Sequence, residues 1–447
     1  MIYLKNIRYI LLVTLLKLKK DDSYSNILLN NVIKSENLSK RDAAFFSAMF
    51  YGILEKKLFL EHIIKKYSKI SIKKISYPVK YILYMGLYQI IFMDKVPNNA
   101  SVNESVNLCK KVREYKASGY VNGLLRSFLR NNCETYLDEL KKNKSKYLSV
   151  KYSVSEWIVD LLLNGYKEID VEDILKAFSG RPAINVRVNN LKCDVSYLKD
   201  RFLKEGIISK SNDIIENCLE ISNTSSIDRL DSYKKGLFHV ENLASQICCK
   251  VLDPKEGQTI VDVCAAPGGK SFTIAELMLN KGIIYSHDIY EAKVNLIKSG
   301  ALRLGIEIID ASVRDAKTLP SKTNFADRVL CDVPCSGLGV MGRKPEIRYK
   351  DKELFENLNE LQYKILCSSE KMLKPGGVLV YSTCTLSPKE NNEVVNRFLK
   401  EHKNFEPFDI EIENLKRNDF EPKNQVTLFP GVHGTDGFFI CKFRKLR

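Results

Sequence analysis

The chain has 447 residues, 45% of them apolar and 28% charged, a composition typical of a soluble protein with two or three domains. Its net charge of +16 is uneven, because residues 1–150 contain 27 Lys and Arg against 12 Asp and Glu while the remainder is nearly neutral. A basic front half predicts contact with nucleic acid, and a general lysine-rich bias in composition is the alternative interpretation.

The 12 cysteines are scattered without a CxxC pair, and the chain has only five histidines. This pattern argues against a metal site and against a disulfide framework, so a reduced, cytoplasmic protein is expected. The apolar run Tyr9–Leu16 is far too short to cross a membrane and is expected to form a buried first helix. Nothing in the sequence demands more than a monomer.

Residues 1–140 are predicted to form an all-α domain. Apolar side chains recur at helical spacing over 43–54, and Tyr81–Met93 is apolar on nearly every side, as expected for the central helix of a bundle. A further helix is predicted over 118–131.

Two boundaries follow from breaker and capping residues. Pro97 interrupts the chain, and Ser101 with Glu104 fits a capping box that would open the next helix. The lysine-rich stretch 141–147 is predicted to be a linker or an exposed turn.

Residues 148–235 show a mixed pattern that predicts a small α/β module. Ile184–Asn189 alternates like a strand, Val195–Glu205 has helical spacing, and Leu219–Ile221 fits a short strand.

Residues 236–447 alternate between strands and helices, which predicts a Rossmann-like, doubly wound α/β domain. The candidate strands are Thr259–Val263, Gly282–His287, Glu307–Asp310, Arg328–Asp332, Val378–Ser382 and Gly437–Phe443.

A glycine-rich turn follows the first of these strands. The strand runs through Asp262 into Gly268 and Gly269, where the backbone can approach a ligand closely. Asp288 ends the next strand, where a carboxylate can bind ribose hydroxyls, and Asp315 follows the third strand and could reach an adenine edge. Together these features favour an adenosine-containing ligand over a dinucleotide, since no G-x-G-x-x-G is present.

Two cysteines follow later strands of the same domain. Cys335 comes after Asp332-Val-Pro, and Cys384 stands in Tyr381-Ser-Thr-Cys-Thr. A single cysteine after a strand is usually a small core residue, but both of these should lie at the sheet edge that holds the cofactor.

Methylation of a pyrimidine at C5 needs this set of groups. A thiolate added to C6 makes C5 nucleophilic, and a nearby carboxyl group stabilises charge that develops in the ring. A base must then remove the C5 proton before the thiol can leave.

The segments VDVCAAPGGK, DVPCSGLG and YSTCTLSPKEN resemble the Sun/Fmu family of RNA 5-methylcytosine methyltransferases. The helical front half resembles the fold of the antitermination factor NusB. The resemblance covers essentially the whole chain and implies S-adenosylmethionine as the cofactor and small-subunit ribosomal RNA as the substrate.

The resemblance also implies roles for individual residues. Cys384 would be the nucleophile, Cys335 would help release the methylated base, and Asp332 would contact the cytosine with Lys270 close by. DNA cytosine methyltransferases attack instead with the Pro-Cys cysteine, so this assignment rests on the resemblance. The implied cofactor-binding residues are Cys264, Ala265, Ala266, Pro267, Gly268, Gly269, Lys270, Asp288, Asp315 and Asp332.

Three further segments enter the resemblance. Residues 429–439 match the closing segment of the family, and Arg181–Asn189 matches an RNA-binding element, with Arg187 inside it. At Glu241 and Asn242 relatives more often have Gln-Asp, a departure expected to affect hydrogen bonding at the cofactor edge.

Two alternatives stay open at this point. One is the same chemistry on tRNA, which the catalytic segments alone do not exclude. The other is an inactive RNA-binding assembly factor, whose expected sign would be loss of Cys384, Asp332 or the glycine-rich turn, all of which are present.

Overall fold

The computed structural model describes residues 6–21, 25–131, 137–180, 182–224 and 226–446. The chain forms two compact units. The first runs to Tyr166 and includes the separate segment Arg343–Lys350, and the second comprises Lys167–Gly342 and the chain from Asp351 onward.

The first unit is helical throughout its described elements. Its helices are α1 Ile7–Asp21, α2 Ser25–Ser35, α3 Lys40–Glu55, α4 Lys57–Tyr67, α5 Tyr77–Phe92, α6 Asn98–Lys111, α7 Ser118–Arg130, α8 Lys144–Tyr152 and α9 Glu156–Gly165. Short 3₁₀ turns cover Ile72–Lys74, Tyr115–Ala117 and Asp138–Leu140, and a further one, Pro345–Tyr349, lies in the separate segment.

Helix α5 is the centre of this unit, as its apolar sequence predicts. Residues on all its sides are buried, and it contacts α1, α3, α4, α6 and α7. The hydroxyl of the buried Tyr84 donates to the Glu61 carboxylate at 2.7 Å. The expected first helix is confirmed as well, with Leu11, Leu12 and Leu15 in the same core.

One boundary prediction was wrong in this unit, and a second was right only in part. Helix α6 begins at Asn98, because Pro97 stands at its N-cap, and Ser101 lies inside the helix rather than capping it. The stretch 141–147 is exposed, but its second half is helical, since Asn143 caps α8 by accepting from the Lys146 amide at 3.0 Å.

The separate segment Arg343–Lys350 is bound within the helical unit by backbone and side-chain contacts. Arg348 is fully buried and donates to the Tyr152 carbonyl at 3.0 Å, while its own carbonyl accepts from the Ser155 amide at 2.9 Å. The Trp157 indole donates to the Lys350 carbonyl at 3.1 Å. This stretch therefore belongs to the helical core although it lies in sequence between Cys335 and Cys384.

The second unit begins with a four-stranded antiparallel sheet in the order β2-β3-β1-β4. Its elements are α10 Val171–Ala177, β1 Ile184–Val188, α11 Val195–Lys204, β2 Ile208–Ser211, β3 Cys218–Ser222, α12 Asp231–Lys234 and β4 Phe238–Val240, with a 3₁₀ turn at Ile227–Arg229. The predicted strands and helix of this module are confirmed, and β2 and β4 are additional.

The segment that resembles an RNA-binding element is largely buried in this sheet. Arg187 pairs with Glu276 at 3.0 Å, and Asn189 donates to the Gly236 and Leu304 carbonyls, both at 2.8 Å. These two side chains therefore cannot contact RNA, and the expectation was wrong for them; Arg181 lies outside the described residues.

The remaining strands form a mixed sheet in the order β10-β12-β9-β8-β5-β6-β7, with β11 paired to β12. The elements are α13 Leu243–Leu252, β5 Thr259–Asp262, α14 Gly269–Leu277, β6 Ile283–Asp288, α15 Glu291–Leu304, β7 Ile309–Val313, β8 Ala326–Asp332, α16 Leu358–Ser369, β9 Leu373–Thr383, α17 Asn392–Glu401, β10 Phe405–Pro407, β11 Gln425–Leu428 and β12 Phe438–Lys445, with 3₁₀ turns at Leu338–Val340, Lys352–Phe355 and Glu370–Met372. Strands β5 to β9 are parallel to one another, and β12 is antiparallel to β9.

Helices cover both faces of this sheet because successive residues of its strands point in opposite directions. Ile260 and Val380 belong to one core cluster, with α13 to α15, whereas their neighbours Val261 and Leu379 belong to the other, with α16 and α17. The predicted doubly wound class is confirmed. Within the described chain, no helix combines the length and apolarity needed to cross a membrane.

The buried ion pair between Arg187 of β1 and Glu276 of α14 connects the small sheet to the larger one. Glu276 is fully buried, and burial raises the pKa of its carboxyl group while Arg187 opposes that shift. We predict that Arg187→Met lowers the free energy of unfolding by about 3 kcal/mol, because it removes the guanidinium group from a buried carboxylate whose other contact is His239 at 3.4 Å. Urea unfolding followed by circular dichroism measures this.

The control is Arg201→Met. Arg201 pairs with Asp231 at 2.7 Å, and the Asp231 side chain is half exposed. That variant should lose less than about 1 kcal/mol. Equal effects of the two substitutions would show that the buried pair does not stabilise the junction.

Candidate active site

The two predicted thiols lie beyond the carboxyl ends of adjacent parallel strands. Strands β8 and β9 pair with Asp332 opposite Ser382, so the chain reaches Cys335 and Cys384 at the same edge of the sheet. Their sulfurs are 3.2 Å apart, and both residues are partly exposed. The structure therefore confirms the predicted proximity of the two thiols.

A largely buried ion pair lies at the end of β8. Lys270 Nζ donates to Asp332 Oδ2 at 2.7 Å and to the Ser245 hydroxyl at 3.0 Å, while Ser382 donates to Asp332 Oδ1 at 2.8 Å. Burial alone would lower the pKa of Lys270, but the charge of Asp332 outweighs it and holds the pKa above its usual value. Lys270 is thus a cation held against a carboxylate at the sheet edge.

The environment distinguishes Cys335 from its neighbour. Three features hold the pKa of the Cys335 thiol well above its usual value. They are the hydrogen bond with the Cys384 sulfur, then burial, then the charge of Cys384. The raised pKa favours the protonated form of Cys335, which suits a thiolate on Cys384.

The glycine-rich turn joins β5 to α14. Gly268 has φ +113°, in the region that favours glycine, and a Cβ there would lie 2.4 Å from the Phe272 ring. The Ala265 amide donates to the His287 carbonyl at 2.8 Å, which fixes the turn to the end of β6. A backbone held this way, next to the start of a helix, fits a nucleoside ligand at close range.

Carboxylates end the neighbouring strands, as the sequence predicts. Asp288 is buried at the end of β6, where its side chain accepts from the Tyr290 amide at 3.1 Å. Asp315 follows β7 and accepts from the Lys317 amide at 3.0 Å. Asp262 is buried at the end of β5, and burial raises its pKa to about 7. The three carboxyl groups thus lie at or just after the carboxyl ends of neighbouring parallel strands.

Glycines permit a close crossing of two segments beside Cys384. The Gly339 amide donates to the Cys384 carbonyl at 3.0 Å, and the Gly437 amide donates to the Gly339 carbonyl at 2.8 Å. A Cβ on Gly339 would lie 1.9 Å from the Gly437 oxygen. The closing segment 429–439 therefore fixes the backbone that carries both thiols.

Sequence reasoning missed several residues of this site. Glu390 is buried and accepts hydrogen bonds from Ser336, next to Cys335, while Thr385, next to Cys384, is bonded to the same serine. Glu241, expected from the sequence at the cofactor edge, lies against the glycine-rich turn and accepts from the Thr273 hydroxyl at 2.5 Å. A signal for Glu390 was available, because it stands in the YSTCTLSPKEN segment as an acid between polar residues that follow a buried strand.

Family models match three successive parts of the chain. The model of 16S rRNA methyltransferase RsmB/F matches residues 249–444. The NusB family model matches residues 5–130, and the model of the ferredoxin-like domain of RsmF/B-like methyltransferases matches residues 154–228.

Similar proteins extend over nearly the whole chain. A probable ribosomal RNA small subunit methyltransferase B of Bacillus subtilis is 36% identical, with 98% of this chain and 99% of the relative covered. A protein of the same description from Synechocystis is 30% identical, with 96% and 97% covered. The crystal structure of PH0851 has a TM-score of 0.82 at 26% identity and covers 98% of each chain.

The parallel sheet, its glycine-rich turn and the paired thiols define an S-adenosylmethionine-dependent RNA cytosine-5 methyltransferase. The all-α front region with the NusB match supports an RNA substrate. The chain belongs to the RsmB family of 16S rRNA methyltransferases. Its substrate class is therefore 16S rRNA, and the tRNA and inactive-scaffold alternatives are set aside.

We predict that Gly339→Ala reduces turnover at least about tenfold, because the added methyl group displaces the segment bonded to Cys384 by an ångström or more. Steady-state methyl transfer to 16S rRNA measures the loss. Gly123→Ala is the control, since no atom lies within 4 Å of a Cβ at this helical position, and it should leave turnover unchanged. Unchanged turnover in Gly339→Ala would show that the glycine crossing does not hold the thiols in place.

Proposed function

We propose that Cys384 is the nucleophile that adds to cytosine C6, and that Cys335 is the group that later removes the C5 proton. The observation that supports this assignment is the 3.2 Å approach of the two sulfurs, with the proton held on Cys335. Lys270 and Asp332, whose side chains lie 2.7 Å apart, are the charged groups that we place beside the cytosine ring.

The first step forms a bond between the Cys384 sulfur and C6 and places negative charge on the pyrimidine ring. In this proposal Asp332 orients the cytosine edge, and the ammonium group of Lys270, held beside Asp332, stabilises the negative charge that develops in the ring. S-adenosylmethionine, when bound, would supply the methyl group to C5 and leave as S-adenosylhomocysteine. The turn Cys264–Gly269 with Asp288 and Asp315 would hold the cofactor.

The same sulfur contact explains how Cys335 changes its role. Before attack, the Cys384 sulfur raises the pKa of Cys335 and keeps it protonated. Once Cys384 is bonded to C6, its sulfur is a neutral thioether, so that cause disappears and the pKa of Cys335 falls. Cys335 can then lose its proton to water and accept the C5 proton, after which the C6–S bond breaks and returns the electron pair to Cys384.

The remaining expectations stay predictions. These are the division at 1–140, 148–235 and 236–447, a monomeric state, and a cytoplasmic location. In this proposal the RNA is bound chiefly by basic residues of the helical unit, since residues 1–150 contain 27 Lys and Arg against 12 Asp and Glu while the rest of the chain is nearly neutral.

Substitution of the two thiols separates their roles. Cys384→Ala should abolish both methyl transfer and the covalent RNA adduct, because no bond to C6 can form. Cys335→Ala should instead accumulate the adduct, because the C5 proton stays in place. Denaturing electrophoresis shows the adduct as a shifted band that contains RNA.

The control for both variants is Cys367→Ala, a partly exposed cysteine on α16, which should turn over normally. Adduct in Cys384→Ala and none in Cys335→Ala would reverse the assigned roles.

Exposed lysines of the helical unit provide a test of RNA binding. Replacing Lys65, Lys66, Lys73 and Lys74 by Gln should reduce the slope of log affinity against log salt by roughly 0.7 for each phosphate that the protein no longer neutralises. Filter binding of 16S rRNA between low and moderate salt measures the slope.

A matched set in the second unit, Lys298, Lys364, Lys400 and Lys403, serves as the control and is exposed in the same way. If both sets change the slope equally, the RNA footprint is not concentrated on the helical unit.

A further inference from the structure

Glu390 is a buried carboxylate at the junction of the two cysteine loops. It lies between β9 and α17 and is 4% exposed. Its oxygens accept from the Ser336 amide at 2.9 Å, from the Ser336 hydroxyl at 2.6 Å and from Gln362 Nε2 at 2.9 Å. Three hydrogen bonds to one buried carboxylate are costly to break.

These contacts bracket Cys335 on both sides. Ser336 follows Cys335 and is bound by Glu390, while Pro334 precedes it and its carbonyl accepts from Gln362 Nε2 at 3.0 Å. Because Gln362 and Glu390 are hydrogen-bonded to each other, the contacts on the two sides of Cys335 form one network. The backbone of Cys335 is thereby held by side chains from α16 and from the segment after β9.

The same carboxylate reaches the residue after Cys384. The Thr385 hydroxyl is 2.7 Å from the Ser336 hydroxyl and 3.4 Å from Glu390 Oε1. The Glu390 carbonyl accepts from the Tyr381 hydroxyl of β9 at 2.6 Å. Side chain and backbone of Glu390 therefore connect the loop of each cysteine to the other.

We propose that Glu390 is a positioning residue that sets the separation of the Cys335 and Cys384 sulfurs through Ser336 and Thr385. This inference rests on the proposed roles of the two thiols. Ser336 is anchored twice by Glu390, whereas the Cys384 loop is also held by Thr383, whose hydroxyl donates to Asn391 at 2.6 Å. Loss of Glu390 therefore releases the Cys335 loop first.

The charge of Glu390 supports the same assignment of roles to the two thiols as its hydrogen bonds do. It is one of the causes that raise the pKa of the Cys335 thiol. A carboxylate beside Cys335 thus favours the proton on Cys335 and leaves Cys384 as the thiolate.

The test compares Glu390→Ala and Glu390→Gln with wild type in full-length protein, using 16S rRNA and S-adenosylmethionine. In Glu390→Ala, kcat should fall between about tenfold and a hundredfold, because misplacement by about an ångström has effects of this size. The KM for RNA and the Kd for S-adenosylmethionine should change less than about twofold. The amount of trapped adduct should increase, but less than in Cys335→Ala.

Glu390→Gln keeps the shape and one acceptor oxygen and should retain more activity than Glu390→Ala. Ser336→Ala should reproduce the defect, and the double variant with Glu390→Ala should be no worse than the single one, since both act through one contact. Glu393→Ala is the matched control, being exposed in the first turn of α17, and should behave as wild type.

The outcomes separate the positioning role from the proposed function. Wild type that forms neither 5-methylcytidine nor adduct overturns the proposed function itself. Active wild type with normal kcat and adduct in Glu390→Ala overturns the positioning role, as does a parallel loss of cofactor affinity, which indicates a general structural defect. If Glu390→Ala does not fold, Glu390→Gln and Ser336→Ala decide, and wild-type behaviour of both rejects the proposal.

Discussion

The contact between the Cys335 and Cys384 sulfurs is the interaction on which the proposed mechanism depends. It exists because β8 and β9 run parallel in a register that places Asp332 opposite Ser382, so that both loops leave the sheet at one edge. Two separate loops must then be held to within an ångström of their working positions. Much of the surrounding polar and glycine structure serves that requirement.

A few short-range contacts, made by residues that are distant in sequence, hold the two loops. On one side the Gly339 and Gly437 backbones cross so closely that no side chain fits, and on the other Glu390 binds Ser336. Each contact fixes a backbone next to a thiol and leaves the thiol itself partly exposed. This combination suits an enzyme in which one sulfur must first bond to a substrate carbon and then leave it.

The sequence predicted the strands well because apolar runs are local signals, and the same strands place the two thiols at one edge of the sheet. The buried strands that end at Asp332 and just before Cys384 are recognisable from apolar runs alone. The strand Ile309–Val313 was expected at Glu307–Asp310, since only one of its residues is buried and the apolar pattern is weak. Glu390 was missed because its partner Ser336 is 54 residues away, and the burial of Arg187 was missed because its partner lies on a helix of the neighbouring sheet.

The most direct test of these roles identifies which sulfur bonds to the base. Wild-type enzyme is incubated with S-adenosylmethionine and 16S rRNA transcribed with 5-fluorocytidine, whose C5 fluorine cannot leave as a proton, so the adduct persists. After digestion with protease and nuclease, mass spectrometry locates the pyrimidine on a peptide. We predict the adduct on the peptide that contains Cys384, and an adduct on the peptide that contains Cys335 would contradict the assignment.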